Sequence, residues 1–411
     1  MTISEFLPKQ TFERIRALPA AQPLLARLRD EGTPVYLVGG AVRDVLLGGT
    51  SFDLDLVVEG DAAAFAASLG GRLKLHDRFG TSTVLLDGFA YDIARSRRET
   101  YAHPGALPDV EPAPLDEDLL RRDFAANAIA VALTGTGAGE LHAAPHALED
   151  VHERRLRVLH DRSFIDDPTR LLRLARYTAR LNFEVEPHTR ELASAATQGG
   201  ALRTVSGPRV GAELRLLARE EDPVKALLAL RDLGLDRAVH PGFGLRDEAL
   251  ARRALALLPD DGRADRLALA LAASGVPPAE LPALLERLAF EAADRDVILA
   301  AATGAAELAG ALDAAGRKVP SAIAAAAAGA PPELVALAGA LGPETPAREW
   351  LERLRHVRLS IDGRDLIAAG VPEGPAIGRG LRAALAAKLD GGAPDREREL
   401  DEALSAAGEP Q

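Results

Sequence analysis

Two aspartates, Asp53 and Asp55, stand on either side of one leucine at the start of an apolar run that ends at Val58. The run predicts a buried β-strand over Leu54–Val58. Side chains two residues apart in a strand share a face, so both carboxylates should project to the same spot. Two neighbouring carboxylates repel each other unless a cation lies between them. The alternative is an acidic pair on the solvated face of an edge strand, without function.

A glycine turn precedes this strand, in the segment Val38-Gly39-Gly40-Ala41. Glycine lets the backbone approach a phosphate closely, and the helical stretch Ala41–Leu47 that follows begins with amides that favour an anion. Mg2+ with oxygen ligands and substrate phosphates suits an aspartate pair beside such a turn. A strand, a glycine turn, a helix and an Asp-x-Asp strand together indicate nucleotidyl transfer. Gly-Gly alone is an ordinary turn.

Length and composition limit the possible classes of protein. The chain has 411 residues, 47% of them hydrophobic, which predicts several packed domains. It has no cysteine, which excludes disulfides, thiolate zinc sites and cysteine nucleophiles. No apolar run looks long enough to span a bilayer, so we expect no membrane partner and a cytoplasmic location.

The predicted secondary structure changes in type once along the chain. Up to about Val131 strands and helices alternate, and after Phe164 helix follows helix. The predicted strands are Pro34–Val38, Leu54–Val58, Thr83–Leu86 and Ala90–Ala94. The net charge is −12, yet Val151–Arg180 contains eight arginines and four acids. This basic island indicates either a polyanion site or a solvated helix face.

A second cluster of polar residues, Arg121-Arg122-Asp123, lies near the end of the mixed region, with Asn127 one helical turn further on. The arginines could bind phosphates, and Asp123 could orient a ribose hydroxyl or an arginine. Taken alone, the cluster is also compatible with an ordinary helix start.

A third cluster, Asp166-Asp167-Pro168-Thr169-Arg170, opens a predicted helix. Asp167 is placed as a helix cap. Asp166 and Arg170 are four residues apart, which predicts one shared helix face with Arg173. A carboxylate beside a guanidinium offers an acceptor next to donors, which matches the amine and ring nitrogen of cytosine and adenine and opposes uracil and guanine. The alternative is a surface ion pair worth about a few tenths of a kcal/mol.

The order of these motifs resembles the class II tRNA nucleotidyltransferases, the CCA-adding enzymes with their CC-adding, A-adding and bacterial poly(A) polymerase relatives. Further matches are Arg98-Glu99-Thr100-Tyr101, Arg209 with Glu213, and a C-terminal stretch from Leu359 to Leu366. The resemblance implies an α+β fold in which a mixed α/β, polymerase beta-like nucleotidyltransferase head is followed by an all-α neck, body and tail. It implies residues 1–160 for the head, 161–219 for the neck with the base template, 220–345 for the body and 346–411 for the tail.

The resemblance also implies roles for individual residues. Asp53 and Asp55 would hold Mg2+, with Asp92 as a third catalytic carboxylate. The nucleotide-binding residues would be Gly39, Gly40 and Arg43 for the triphosphate, Arg121, Asp123 and Asn127 for the sugar and phosphates, Asp166, Asp167 and Arg170 for the base, and Arg173 and Arg176 beside them. Glutamate is usual in the family where this chain has Asp166.

The implied reaction adds CCA, from CTP and ATP, to the 3′ end of tRNA and releases pyrophosphate, with tRNA lying along the body and tail. Within the family, a partial enzyme adding only CC or only A, or a poly(A) polymerase, is the alternative. Outside it, the alternative is a non-catalytic RNA-binding protein on the same scaffold. The sequence indicates no protein partner.

Overall fold

The computed structural model describes residues 8–28, 32–50, 53–76 and 80–408. The chain falls into two compact units, one of Met1–Glu213 with Asp232–Ala238 and one of Leu214–Arg231 with Val239–Gln411. The first unit includes the predicted head and most of the predicted neck. The division into four domains stays a prediction.

The first unit is built on a seven-stranded sheet in the order β3-β4-β5-β2-β1-β8-β9. In the described part of the chain the strands are β1 Val35–Val38, β2 Leu54–Val58, β3 Arg72–His76, β4 Thr81–Leu86, β5 Phe89–Arg95, β6 Arg97–Thr100, β7 Asp109–Pro112, β8 Ile129–Ala132, β9 Leu141–Ala143, β10 Arg155–Leu156 and β11 Glu184–Val185. Strands β2 and β5 pair in parallel, and the other neighbours in the sheet are antiparallel. All four predicted strands are confirmed, with ends shifted by at most two residues.

Helices cover this sheet and continue into the neck segment. They are α1 Pro8–Ala17, α2 Ala21–Leu25, α3 Gly40–Leu46, α4 Ala62–Ser68, α5 Leu115–Leu120, α6 Ala147–Glu153, α7 Ser163–Asp166, α8 Thr169–Leu181, α9 Pro187–Gln198 and α10 Gly207–Ala218. Short 3-10 turns occur at Ala125–Asn127 and Ala201–Thr204. Helix α5 packs through Leu115 and Leu119 on Val38 and Val57. It therefore covers part of the sheet face that carries Asp55, because Val38 lies opposite Asp55 in register.

The second unit is helical throughout its described residues, as the sequence predicts. Helix α12 Leu235–Val239 belongs almost entirely to the first unit. The helices of the second unit are α11 Pro223–Asp232, α13 Glu248–Leu257, α14 Ala264–Ala273, α15 Leu281–Arg287, α16 Ala292–Gly316, α17 Pro320–Ala326, α18 Pro332–Ala340, α19 Glu344–Glu352, α20 Gly363–Ala368, α21 Pro375–Leu389 and α22 Arg396–Gly408, with a 3-10 turn at Leu354–His356. A separate small core joins α20, α21 and α22 around Leu366, Ala384 and Ala403.

One expectation about apolar runs needs correction. Helix α16 has 25 residues and a mean hydropathy of 1.4 over its most apolar window, so by length and composition it could cross a membrane. The many alanines of this helix raise its mean hydropathy, although it contains no long run of large apolar side chains. The helix packs against α14, α17, α18 and α19, burying Ile298 and Leu312. Only 28% of that window is buried, and the contacts with these four helices are what place α16 among the packed helices of the second unit.

Candidate active site

Two of the predicted aspartates lie side by side on one face of the sheet, and the third, Asp53, directly precedes strand β2. Asp55 in β2 lies directly opposite Asp92 in the parallel strand β5. Burial raises the pKa of Asp55 above its usual range, repulsion from Asp92 and from Asp53 raises it further, and Arg122 opposes the shift. The carboxylate of Asp55 is exposed, but it lies where surrounding protein displaces part of its hydration. The structure thus places Asp55 beside Asp92, and Asp53 is near enough for its charge to act on Asp55.

A cavity of about 520 Å³ opens beside these carboxylates. Asp55 and Asp92 line it, together with Thr83, Arg121 and Arg122. The hydroxyl of Thr83 donates a hydrogen bond of 2.7 Å to Oδ1 of Asp92. Cations and anionic oxygens therefore meet in one concave site, which suits a metal-bound polyphosphate.

The glycine turn closes one side of this region. Gly39 has φ of 74°, and a Cβ built there would lie 3.1 Å from Nη1 of Arg122. Glycine is therefore required both by the backbone and by the close approach of the guanidinium. The sequence pattern offers both Arg121 and Arg122 for phosphate binding, but the roles implied by the resemblance include only Arg121. Arg122 is the arginine that lies over the turn and acts on Asp55.

Arg43 is placed differently from the prediction. It is buried at 2% exposure, and its Nε and Nη2 donate to Oδ1 of Asp44 at 2.9 and 2.7 Å. Its Nη1 donates to Oδ1 of Asn127. Its guanidinium thus lies against Gly40 of the glycine turn and fixes the side chain of Asn127.

Asp123 is the hub of a buried polar chain. Its Oδ1 accepts from Nδ2 of Asn127 at 3.2 Å, and its Oδ2 accepts from Nε and Nη2 of Arg173 at 2.9 and 2.6 Å. Burial alone would raise the pKa of Asp123, but Arg173 and these hydrogen bonds lower it to about 2. Arg173 also lies 3.8 Å from Glu213. Asp123 therefore binds an arginine, one of its two predicted options.

The third cluster does not form the predicted helix face. Helix α7 ends at Asp166 and α8 begins at Thr169, because Asp167 leaves the helical conformation with φ of −128° and ψ of 90°. Asp166 pairs with Arg162 at 2.9 Å instead of with Arg170. The i,i+4 argument for an Asp166–Arg170 pair is therefore wrong, since the two residues lie on separate helices.

The other members of this cluster are held firmly. Asp167 caps α8 as predicted, with Oδ1 accepting from the backbone N–H of Thr169 at 3.1 Å, and it also accepts from Arg209 at 2.8 Å. Arg170 is 5% exposed and donates to Oγ of Ser163 and to the carbonyl of Arg121, both at 2.7 Å. Arg176 is also buried, with its guanidinium 4.7 Å from the ring of Tyr177.

Two smaller cavities adjoin these residues. One of about 310 Å³ is lined by Arg97, Glu99, Tyr101, Pro108, Arg121, Arg122, Asp123, Asp167, Arg170 and Arg173. Another of about 290 Å³ has Asp166 and His160 in its wall, again with Arg170 and Arg121. Arg121 and Arg122 line both the 310 Å³ cavity and the 520 Å³ cavity of the carboxylates. A nucleotide could place its phosphates in one and its base in the other.

Comparison with known proteins shows which family the chain belongs to. Residues 35–157 match the poly A polymerase head domain. An A-adding tRNA nucleotidyltransferase of Geobacter sulfurreducens is 43% identical over 60% of this chain, a match that spans 30% of that protein's length. A CC-adding tRNA nucleotidyltransferase of Deinococcus radiodurans is 37% identical over 87% of this chain and 85% of that protein. The chain belongs to the class II tRNA nucleotidyltransferase family.

The structural similarity covers nearly the whole chain. The solved structure of a Thermotoga maritima CCA-adding enzyme complexed with tRNA has a TM-score of 0.74 and is 28% identical, covering 97% of this chain and 98% of that one. The α+β architecture of head followed by helices is thus confirmed. Enzymes of this family use divalent metal ions, for which carboxylate oxygens are suitable ligands. Among the described residues, no group of three or more acidic or histidine side chains is arranged to hold a metal ion.

Proposed function

We propose that this tRNA nucleotidyltransferase transfers CMP and AMP from CTP and ATP to the 3′ end of tRNA, releasing pyrophosphate. The observation that carries the proposal is the register of Asp55 against Asp92 beside a cavity that Arg122 also lines. A buried arginine cluster next to an acidic cluster fits a triphosphate whose attacked phosphorus must lie close to metal-binding carboxylates.

The residues of this chain divide the work by position. Asp53 and Asp55 would hold Mg2+, which when bound neutralises the phosphates and lowers the barrier to attack by the 3′-hydroxyl. Arg122 stabilises the charge that develops on the phosphates. Gly39 leaves room for that guanidinium. Asp92 orients the attacking hydroxyl, and Thr83 fixes one of its oxygens.

Selection of the base belongs to the 310 Å³ cavity. Asp167 and Arg170 line it, which supplies an acceptor and donors of fixed orientation. Cytosine and adenine each present an amine beside a ring nitrogen acceptor and fit that pair. Asp123 and Arg173 also line this cavity. The ionised carboxylate of Asp123 binds Arg173, which keeps this part of the cavity wall rigid when the ribose binds. Arg43 and Asn127 act as supports of the wall.

A partial reaction is the second candidate. The relatives described above include an enzyme named for adding A and another named for adding CC, with higher identity than the CCA-adding structure. The same base cavity would serve both nucleotides, so the choice between CC, A and CCA would depend on how the tRNA end advances. We further propose that residues 220–345 and 346–411 form body and tail that bind the acceptor arm, and that the protein works in the cytoplasm.

Incorporation of labelled CTP and ATP into three tRNA transcripts tests the proposal, using transcripts that end before CCA, after C and after CC, with Mg2+. Completion of CCA on all three supports a CCA-adding enzyme. Stopping after CC, or addition of the last A alone, assigns the partial reaction. Long A tracts on RNA that lacks the tRNA fold indicate a poly(A) polymerase. No incorporation, with tRNA still bound, refutes the enzymatic proposal in favour of an RNA-binding protein.

A further inference from the structure

Asp118 is a fully buried acid in α5 to which the sequence motifs assign no role. Its Oδ1 accepts from Nε and Nη2 of Arg121 at 3.0 and 2.7 Å and from the backbone N–H of Arg97 at 3.2 Å. Its Oδ2 accepts from Nη2 of Arg122 at 3.0 Å. One carboxylate therefore holds two consecutive arginines.

These two arginines reach into the site in different ways. Arg122 lies against Gly39 and lines the 520 Å³ cavity together with Asp55. Arg121 has a second acidic partner, because its Nη1 donates to Oε1 of Glu99 at 2.9 Å. Both residues line the 310 Å³ cavity. Each arginine keeps only a small exposed fraction, 18% for Arg121 and 15% for Arg122. Their exposed edges face the cavities that they line.

The energetics of these buried ion pairs favour a role for Asp118 in orienting the two arginines. A buried carboxylate is costly unless it is paired and hydrogen-bonded, and Asp118 achieves both. Burial alone would raise the pKa of Asp118, but Arg121 and Arg122 hold it below its usual range. An arginine that is already fixed loses little side-chain entropy when it binds a phosphate, so less of the binding free energy is spent on ordering the side chain.

We propose that Asp118 is a positioning residue that presets Arg122, and Arg121 beside it, for the nucleotide's triphosphate. Asp118 touches no substrate and acts only through the two guanidinium groups. The inference rests on the proposed function, because it identifies the triphosphate as the ligand of these arginines. Loss of Asp118 should weaken binding of CTP and ATP alike, since the phosphates are common to both.

A matched control is available in the same unit. Asp150 in α6 is also fully buried and receives a two-nitrogen grip, with Nε of Arg157 at 3.0 Å from its Oδ2 and Nη2 at 3.2 Å from its Oδ1. Neither residue lines the cavities described above. Asp150→Asn thus reports the cost of neutralising a buried acid without touching the site.

The experiment compares Asp118→Asn, Asp150→Asn, Arg122→Gln and the double variant Asp118→Asn/Arg122→Gln. Calorimetry measures binding of inorganic tripolyphosphate with Mg2+, and initial rates on tRNA give KM and kcat for CTP and ATP. We expect Asp118→Asn to weaken tripolyphosphate binding and to raise both KM values by about tenfold or more. Asp150→Asn should leave tripolyphosphate binding unchanged. The double variant should lose less than the sum of the two single losses, because only the part of the effect that passes through Arg121 remains once Arg122 is replaced.

Several outcomes would overturn the inference. One is wild-type binding of tripolyphosphate by Asp118→Asn, and another is an equal loss in Asp150→Asn. Additive losses in the double variant would show that Asp118 does not act through Arg122. Should Asp118→Asn not fold, wild-type tripolyphosphate binding by Arg122→Gln overturns it. An inactive wild-type enzyme defeats the proposed function instead, so the two failures are distinct.

Discussion

The hydroxyl of Thr83 donates a hydrogen bond of 2.7 Å to Oδ1 of Asp92, across two antiparallel strands in which the two residues are direct partners. Asp92 is in turn the direct partner of Asp55 on its other side. The row Thr83, Asp92, Asp55 therefore runs across the sheet on one face, so the strand register itself orients the third carboxylate.

Replacing Thr83 by valine removes this hydrogen bond at nearly constant volume. We expect kcat to fall by about tenfold with little change in the KM of either nucleotide, because a bond to a charged group is lost without loss of a phosphate contact. Thr83→Ser should restore most of kcat. Thr81→Val is the matched control, since Thr81 lines the same 520 Å³ cavity but lies opposite Ala94, which offers no carboxylate. Equal rates in Thr83→Val and Thr81→Val would contradict the role.

The metal assignment of Asp55 is tested by Asp55→Ala. We expect nucleotide incorporation to fall by at least about a thousandfold, because the metal site loses a ligand at the reacting phosphate. Binding of tRNA, measured by filter retention, should stay within about twofold of the wild type. Retained incorporation would refute the assignment. Because repulsion from Asp92 and Asp53 is relieved, the metal-free variant should not unfold at a lower temperature than the wild type.

The pH dependence of stability should reflect Asp123. Its folded-state pKa, about 2, lies below the ordinary value of 3.8, so its ionised form stabilises the fold at neutral pH. That contribution, about 2 kcal/mol, is complete above the ordinary value and is lost as the pH falls toward the folded-state value. Urea unfolding between about pH 6 and pH 3 should show a smaller loss of stability in Asp123→Asn than in the wild type. Asp109→Asn, an exposed acid in β7, should behave as the wild type.

Arg170→Ala tests the selection of the base. We expect UTP and GTP to gain on CTP and ATP by about tenfold, since a pair of hydrogen bonds contributes about 1–3 kcal/mol of discrimination. Competition assays with mixed nucleotides on tRNA would measure the change. Arg190→Ala, an exposed arginine of α9, is the control for loss of a positive charge. Unaltered discrimination in Arg170→Ala would remove the residue from the template.

Sequence patterns predicted best where one strand or one turn decides the structure. The strand Leu54–Val58 is confirmed residue for residue, because its apolar run and its Asp-x-Asp spacing depend only on the strand's own period. Asp92 could be placed for a similar reason, since alternation within β5 fixes its face. Its exact opposition to Asp55 needed the parallel pairing of strands that are distant in sequence.

The sequence failed where partners come from elsewhere in the chain. The spacing of Asp166 and Arg170 predicted a pair, but the break at Asp167 separates their helices and gives Arg170 to Ser163 and to the carbonyl of Arg121. The sequence also could not show which of Arg121 and Arg122 lies over the glycine turn. Two adjacent arginines are equivalent in a sequence pattern, and only the contacts of Asp118, one oxygen to each arginine, show that they are held in different positions. The acid three residues before the pair, Asp118, was the one local signal.

The glycine turn supplies the last prediction, which separates backbone strain from steric displacement. Gly39 and Gly48 both have positive φ, 74° and 83°, but only Gly39 has a neighbour, Nη1 of Arg122 at 3.1 Å from a built Cβ. Alanine at either position should cost about 1–3 kcal/mol of stability from backbone strain, measured by thermal unfolding. Gly39→Ala should in addition raise the KM of CTP and ATP by about tenfold, because the guanidinium must move away from the phosphates. Gly48→Ala should leave both KM values unchanged. If Gly39→Ala loses stability without any change in KM, Arg122 does not bind the triphosphate from its observed position.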